Sequence, residues 1–298
     1  MSNYEVKVTI TIKPYVREGN IIKFGYYPQT LMSGTVATKL KSTYDNLTVN
    51  KNGWVAYNVE VNGTSEKYMW YMDVTLDGVK YRGVYFTKYK CAYNELAPNK
   101  SESFVDNNGY EDGIIYWFRF DPIEWVVVNE DTTNKQTTLI AKLILDSTEF
   151  AKHDASEKYT HNGGADYPYS YLRSDLRQFL INEFYNTAFN STEKGIMLTS
   201  QYTINTSFND YVGAPTTAML GDVSSPYLAT SGTEYAKINN LQVYNDYSNR
   251  SSYFTATSYK SAGSDYRFVT VVKPNGSSSY DYCYLNSVGT RPMIKISL

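Results

Sequence analysis

An α+β fold is predicted by three features of this sequence. Short runs with a two-residue apolar period recur along the chain, as in Tyr4, Val6, Val8, Ile10 and Ile12. Turn dipeptides border several of them, at Asn52-Gly53, Asn62-Gly63 and Asp77-Gly78. One segment changes to helical spacing, with Leu172, Leu176, Phe179, Leu180 and Phe184 on one face. A length of 298 residues suits one large domain or two small ones. No internal repeat and no linker is visible. Residues 1–20 therefore read as an N-terminal strand or extension. Residues 21–298 read as a single domain whose strand-rich N-terminal portion reaches about residue 113.

Each element has its own warrant. Residues 4–12 predict a strand with one buried face. Glu18-Gly19-Asn20 is a turn, and Ile21 to Tyr27 a second strand closed by Pro28. Residues 31–50 are rich in Ser, Thr and Lys and read as irregular. The three Gly-containing turns make 54–61, 67–76 and 79–88 a meander. Residues 94–113 are polar and read as a loop. Ile114 to Phe120 and Ile123 to Val128 predict two strands, broken at Asp121-Pro122, and Thr137 to Leu145 a third. Their near-continuous apolar character places them in the middle of the core sheet. A loop over 150–168 leads to the clearest helix, with Ser170 as its cap. Asn190-Ser191 starts a second helix, which runs to Met197 and is broken by Gly195. Residues 201–230 read as loop and short strand. Ser231 to Glu234 opens a third helix, with Tyr235 and Ala236 inward. Phe268 to Val272 is a strand, Lys273-Pro274-Asn275-Gly276 a turn, and Met293 to Leu298 the last strand.

Composition excludes several functions. Lys and Arg number 28 against 30 Asp and Glu, a net charge of -2, which argues against a nucleic-acid binder. No apolar run approaches the ~18 residues of a transmembrane helix, so no membrane insertion is expected. The first residues lack the basic and apolar blocks of a signal peptide. Cys91 and Cys283 match no metal spacing and read as free, partly buried thiols. His153 and His161 flank a polar stretch with no third soft ligand and read as a solvated loop. Asp106 to Asp112 has the composition of a calcium loop without its regular spacing, and reads as a polar turn. Neither a metal nor another cofactor is expected. Glu124 sits inside an apolar strand, which predicts burial, and Arg291 is the expected partner.

The outlying number is 31 Tyr. AT-rich coding produces such an excess, and so does selection for a contact surface. Clustering decides between them. The stretch 251–288 holds Tyr253, Tyr259, Tyr266, Tyr280, Tyr282 and Tyr284 among Ser, Asp, Gly and Asn. Tyr280, Tyr282 and Tyr284 fall at period two, so a strand points them to one face, with Cys283 and Leu285 on the other. These six Tyr and Asp281 are the candidate ligand-binding residues. The competing reading is a cross-strand aromatic ladder that only stabilises the sheet.

Seven phrases in order carry a family resemblance. They are Ile22-Lys23-Phe24-Gly25-Tyr26-Tyr27-Pro28-Gln29-Thr30, Lys80-Tyr81-Arg82-Gly83-Val84-Tyr85-Phe86, Tyr116 through Trp125, Ser170-Tyr171-Leu172-Arg173, Phe184 through Phe189, Thr233 through Lys237, and Gly289-Thr290-Arg291-Pro292. Together, over about residues 20–298, they resemble a bacterial domain-of-unknown-function family, number 6273. The family's Gly-Val-Arg-Pro ending is similar to the last strand of C-type-lectin-like domains of the formylglycine-generating-enzyme type. The resemblance thus implies a C-type-lectin-like mixed fold, with antiparallel sheets, two or three short helices and long loops. It also implies a changeable binding face near the C-terminus and a cell-surface or particle-associated setting. Two phrases depart from the family. Tyr253 to Ser258 stands where Trp-Trp-Leu-Arg-Ser is usual, and Thr217 to Asp222 where an apolar strand with Leu-Leu-Ser is usual.

Three functions follow as expectations. The first is a noncatalytic, adhesin- or receptor-like module that binds a glycan or protein ligand. The second is a structural or assembly component of a phage particle or surface layer. The third is an oxidase of the formylglycine-generating type, disfavoured because only Cys283 lies near the C-terminus and one thiolate cannot make a two-sulfur copper site. No nucleophile elbow and no phosphate loop is present.

Overall fold

The computed structural model describes residues 13–44, 53–57, 69–86, 108–152, 158–204, 206–259 and 267–298, with 204 and 206 by backbone alone. Antiparallel sheets dominate, with short helices between them, so the fold is mixed α+β. The expected strand over 4–12, Cys91, His153 and Tyr266 lie outside the described residues.

The larger sheet has ten strands. Its centre is Ile115–Asp131, which pairs with Val79–Phe86, Ile21–Leu31 and Gln136–Ala141 at successive points along its length. The sequence predicts two strands here, and the structure has one. Pro122 lies within it, opposite Tyr26, where the register shifts and the missing N–H is tolerated. The meander holds as an antiparallel series, Val55–Ala56, Met69–Leu76 and Val79–Phe86. Asp77 and Gly78 both take positive φ at its tight turn, 51° and 79°. The last strand, Met293–Ser297, lies inside the sheet beside Gln136–Ala141. The second sheet has five strands in the order Ser278–Tyr282, Phe268–Val272, Tyr253–Ser258, Gly289–Thr290, Asp146–Ser147. One buried cluster takes residues from both sheets, including Trp125, Leu139 and Ile294 from the first and Phe254, Val269 and Val271 from the second.

Helices close the gaps. Asp175–Gln178 continues through a π-type turn, Phe179–Phe184, into Tyr185–Ala188, and buries Leu176, Leu180 and Phe184. Its cap is Ser174, whose side chain accepts from the Arg177 N–H. The expected cap, Ser170, instead donates to Asp166. Ser191–Lys194 opens with a capping box between Asn190 and Glu193 and ends at Lys194, short of Met197. Glu234–Ile238 is capped by Thr233, and Tyr235 and Ala236 are buried as expected. Two helices stand where the sequence predicts irregular chain or loop. Thr217–Leu220 is one, and Gly34–Tyr44 the other. The latter buries only Leu40, and Tyr44 anchors its end by donating to the Thr75 carbonyl.

The expected Glu124–Arg291 pair does not form. Alternation in the strand turns Glu124 outward between buried Ile123 and Trp125, and it pairs with Lys142 at 2.7 Å. Arg291 is 1% exposed and donates to the carbonyls of Ala141 and Leu228 and to the Tyr253 hydroxyl. Burial pulls its pKa below the usual value, and Tyr253 opposes that shift.

Candidate functional site

The predicted tyrosine row comes together around one strand that the sequence reading did not assign to it. Ser278–Tyr282 pairs antiparallel with Phe268–Val272, with Thr270 opposite Tyr280 and Phe268 opposite Tyr282. Alternation puts Phe268, Tyr280 and Tyr282 on one face. Phe268 stands between the two tyrosines, 5.1 Å edge-on from Tyr280 and 4.5 Å stacked on Tyr282. Tyr259 stacks on Tyr280 at 4.2 Å, and Tyr284 on Tyr282 at 5.1 Å. The Arg267 guanidinium lies 5.5 Å from the Tyr282 ring. Five rings therefore form a continuous ladder. Tyr280 is its most open member at 44% exposure, and Tyr259, Tyr282 and Tyr284 are half-buried. The strand ends at Tyr282, short of the expected Leu285, and Cys283 is fully buried in the turn that follows, its N–H donating to the Arg267 carbonyl.

Two candidates do not join this face. Tyr253 is fully buried; its hydroxyl donates to the Leu228 carbonyl and its ring lies 5.0 Å from the Arg291 guanidinium. It has no surface to offer a ligand, because its strand is internal to the five-stranded sheet. Asp281 alternates to the side opposite the ladder and pairs with Lys273 at 2.9 Å. Phe268 is the ladder residue that sequence reasoning missed. Its signal was present, since an aromatic at the start of a strand neighbouring an alternating Tyr row is placed for cross-strand stacking.

A second feature had no signal in the sequence. A cavity of about 510 Å³ opens where the starts of Val55–Ala56 and Met69–Leu76, the Asp146–Ser147 strand, the Asp175 helix and the end of the Glu234 helix meet. Asp146 is buried in its wall. The Tyr27 hydroxyl donates to one of its oxygens, and Asn239 Nδ2 and the Ser147 N–H donate to the other. Burial nevertheless pushes its pKa up to about 6, against those three hydrogen bonds and the nearby Arg82 charge. Behind it, Tyr57 and Tyr235 share a hydroxyl hydrogen bond, and Arg82 donates to Tyr235 and forms a forked pair with Asp73. Burial raises the pKa of Tyr27, Tyr57 and Tyr235, so all three are neutral hydroxyls near pH 7. Glu149, Asp175 and Glu183 also line the cavity, with Lys152 as the cation among the described lining residues.

Among the described residues no group of three or more His, Cys, Asp or Glu side chains is placed to hold a metal ion. No described helix is long and apolar enough to cross a membrane. No protein-family model, curated protein or solved structure matches the chain.

Proposed function

We propose that this chain is a noncatalytic, adhesin- or receptor-like ligand-binding module of C-type-lectin-like type, in keeping with the family resemblance. Its contact face is the aromatic ladder, and the ligand is a glycan or a protein. One observation carries the reading: five rings from three segments are stacked into a strip whose most open member, Tyr280, is 44% exposed. Rings held by their neighbours lose little freedom on binding, and each offers an apolar plane with a polar tip. A strip of this kind suits a flat or extended ligand better than a small enclosed one. Tyr280, Tyr282, Tyr284 and Tyr259 are the contact residues, with Phe268 as their support.

The test is a screen of the intact chain on a glycan array and against surface proteins of neighbouring cells. Tyr280→Ala and Tyr282→Ala variants, checked for native circular dichroism, run alongside. Loss of a hit by tenfold or more, about 1.4 kcal/mol, supports the face. Binding at wild-type strength in both variants rejects it and leaves the ladder a packing feature.

A further inference from the structure

The helix Glu234–Ile238 ends in two buried asparagines, Asn239 and Asn240, each 6% exposed. Asn240 takes φ of 82°, a left-handed conformation that Asn tolerates better than most residues. This ending turns both side chains to the wall of the cavity beside Asp146. Asn239 Nδ2 donates to Asp146 at 2.8 Å, which fixes the amide's orientation. Its Oδ1 is buried and has no hydrogen-bond partner among the described residues. That oxygen is closed off from the open volume, so Asn239 contributes to the cavity by holding Asp146 in its wall.

The rest of the lining narrows the chemistry. Carboxylates outnumber the single Lys152, so phosphate and carboxylate ligands meet repulsion. Asp146 and Asp175 are engaged by the protein's own donors. Asp146 accepts three such bonds, and Asp175 accepts from the Lys152 N–H and from Asn162. Carboxamides are abundant instead, Gln178 and Asn182 among them, and each carries a donor and an acceptor. Tyr57, Tyr71 and Phe179 supply an aromatic wall, with Tyr57 and Tyr71 4.8 Å apart. Paired donors and acceptors beside aromatic rings match vicinal hydroxyls and the apolar face of a sugar ring. The volume, about 510 Å³, is in the range of small-molecule sites.

We propose that this cavity is a second binding site, separate from the ladder, for a short neutral glycan of one or two rings. The Gln178 and Asn182 amides hold vicinal sugar hydroxyls, beside the wall that Asn239 and Asp146 form. Occupancy places the ring against Tyr57, Tyr71 and Phe179.

Saturation-transfer NMR and calorimetry on the intact chain test this with cellobiose, maltose, lactose and N,N′-diacetylchitobiose. Glucuronic acid, glucose 6-phosphate and spermidine serve as charged comparators. At least one neutral disaccharide is expected to bind with Kd near or below about 1 mM, and the acidic sugars at least tenfold more weakly. Gln178→Ala and Asn182→Ala change side chains at the helix surface and should weaken that binding tenfold while native circular dichroism persists. Asn239→Ala should do the same, and the two surface variants keep the test valid if it fails to fold. Absence of neutral-sugar binding at about 10 mM overturns the site, as does equal or tighter binding of the acidic sugars or of spermidine. Sugar binding that survives Gln178→Ala and Asn182→Ala but is lost in Tyr280→Ala belongs to the ladder and also overturns it. Loss of a macromolecular hit in the ladder variants is read separately, so the two readings fail independently.

Discussion

At Asp146, burial and hydrogen bonding act in opposite directions, and burial is the larger effect. The folded pKa, about 6, lies above the ordinary carboxylate value of 3.8. The native state therefore holds a proton that the unfolded chain releases between those values. Below pH ~4 both states are protonated, and the group contributes no pH dependence. As pH rises from about 4 to 6, stability falls, and above 6 a constant penalty of about 3 kcal/mol remains (at ~1.4 kcal/mol per pH unit). Asp146→Asn removes this titration. The difference in unfolding free energy, variant minus wild type, should grow by up to about 3 kcal/mol between pH 4 and 6.5 in urea titrations. A difference that shrinks with rising pH would contradict the burial argument. Tyrosines separate just as clearly. Tyr253→Phe removes one of the two donors to the Leu228 carbonyl and an acceptor of the buried Arg291 guanidinium, and should cost about 1–3 kcal/mol. Tyr280→Phe removes a hydroxyl from a half-open ring and should change stability by less than about 0.5 kcal/mol. Equal costs in thermal melts would remove the distinction between core and ladder. From the sequence these two tyrosines looked alike. Alternation shows which face a ring takes, but not which strands flank it, and that is what buries Tyr253.

Among the elements, the contact between Ile21–Leu31 and the end of the Tyr185–Ala188 helix depends on one glycine. Gly25 has φ of 72°, and a Cβ there would stand 2.6 Å from the Phe189 ring and 2.9 Å from the Ala188 carbonyl. Its N–H donates to Glu193, which also closes the capping box with Asn190. Gly25→Ala therefore strains the backbone, collides with the ring and displaces the carboxylate. A loss of about 2–4 kcal/mol is expected in denaturant unfolding. Glu193→Gln keeps an acceptor oxygen and should cost less than Glu193→Ala, and the reverse order would reject the paired-acceptor role. Local signals made several elements legible. The Asp77-Gly78 turn, the Phe268–Val272 strand and the Leu176/Leu180/Phe184 face are each set by residues close in sequence. Gly34–Tyr44 was not legible, because Thr, Val and Ser weaken its helix propensity and it buries a single residue. The spacing of Val36, Leu40 and Tyr44 was its one available signal. The cavity was equally hidden. Asp146, Asn239 and Tyr57 come from distant segments, and no spacing rule joins them.

For the whole molecule, the decisive fact is that strands from both ends of the described chain meet inside one sheet. Ile22 pairs with Trp125, and Met293 with Ile140. Contacts so distant in sequence form late and slowly, since chain closure precedes any gain from packing. The main buried cluster then ties that sheet to the five-stranded one through residues such as Phe254, Val269 and Val271. Shared burial of this kind should make the two sheets melt together, although each is hydrogen-bonded as a separate sheet. All four Trp, at 54, 70, 117 and 125, lie in or beside the larger sheet, so native Trp emission reports that sheet alone. A dye not excited by Trp light, attached to Tyr280→Cys in a background with Cys91→Ser, places a second reporter on the ladder, since Cys283 is buried. Equilibrium unfolding followed by the two signals should give coincident midpoints and a single m-value. Midpoints that differ by more than about 0.5 M urea would show that the ladder sheet unfolds by itself. In that event the cavity would empty before the larger sheet opened, because Asp146–Ser147 belongs to the five-stranded sheet while Met69–Leu76 belongs to the other. Coincidence would instead mean that ladder and cavity are held by one cooperative core, so that an occupant of either raises the stability of both.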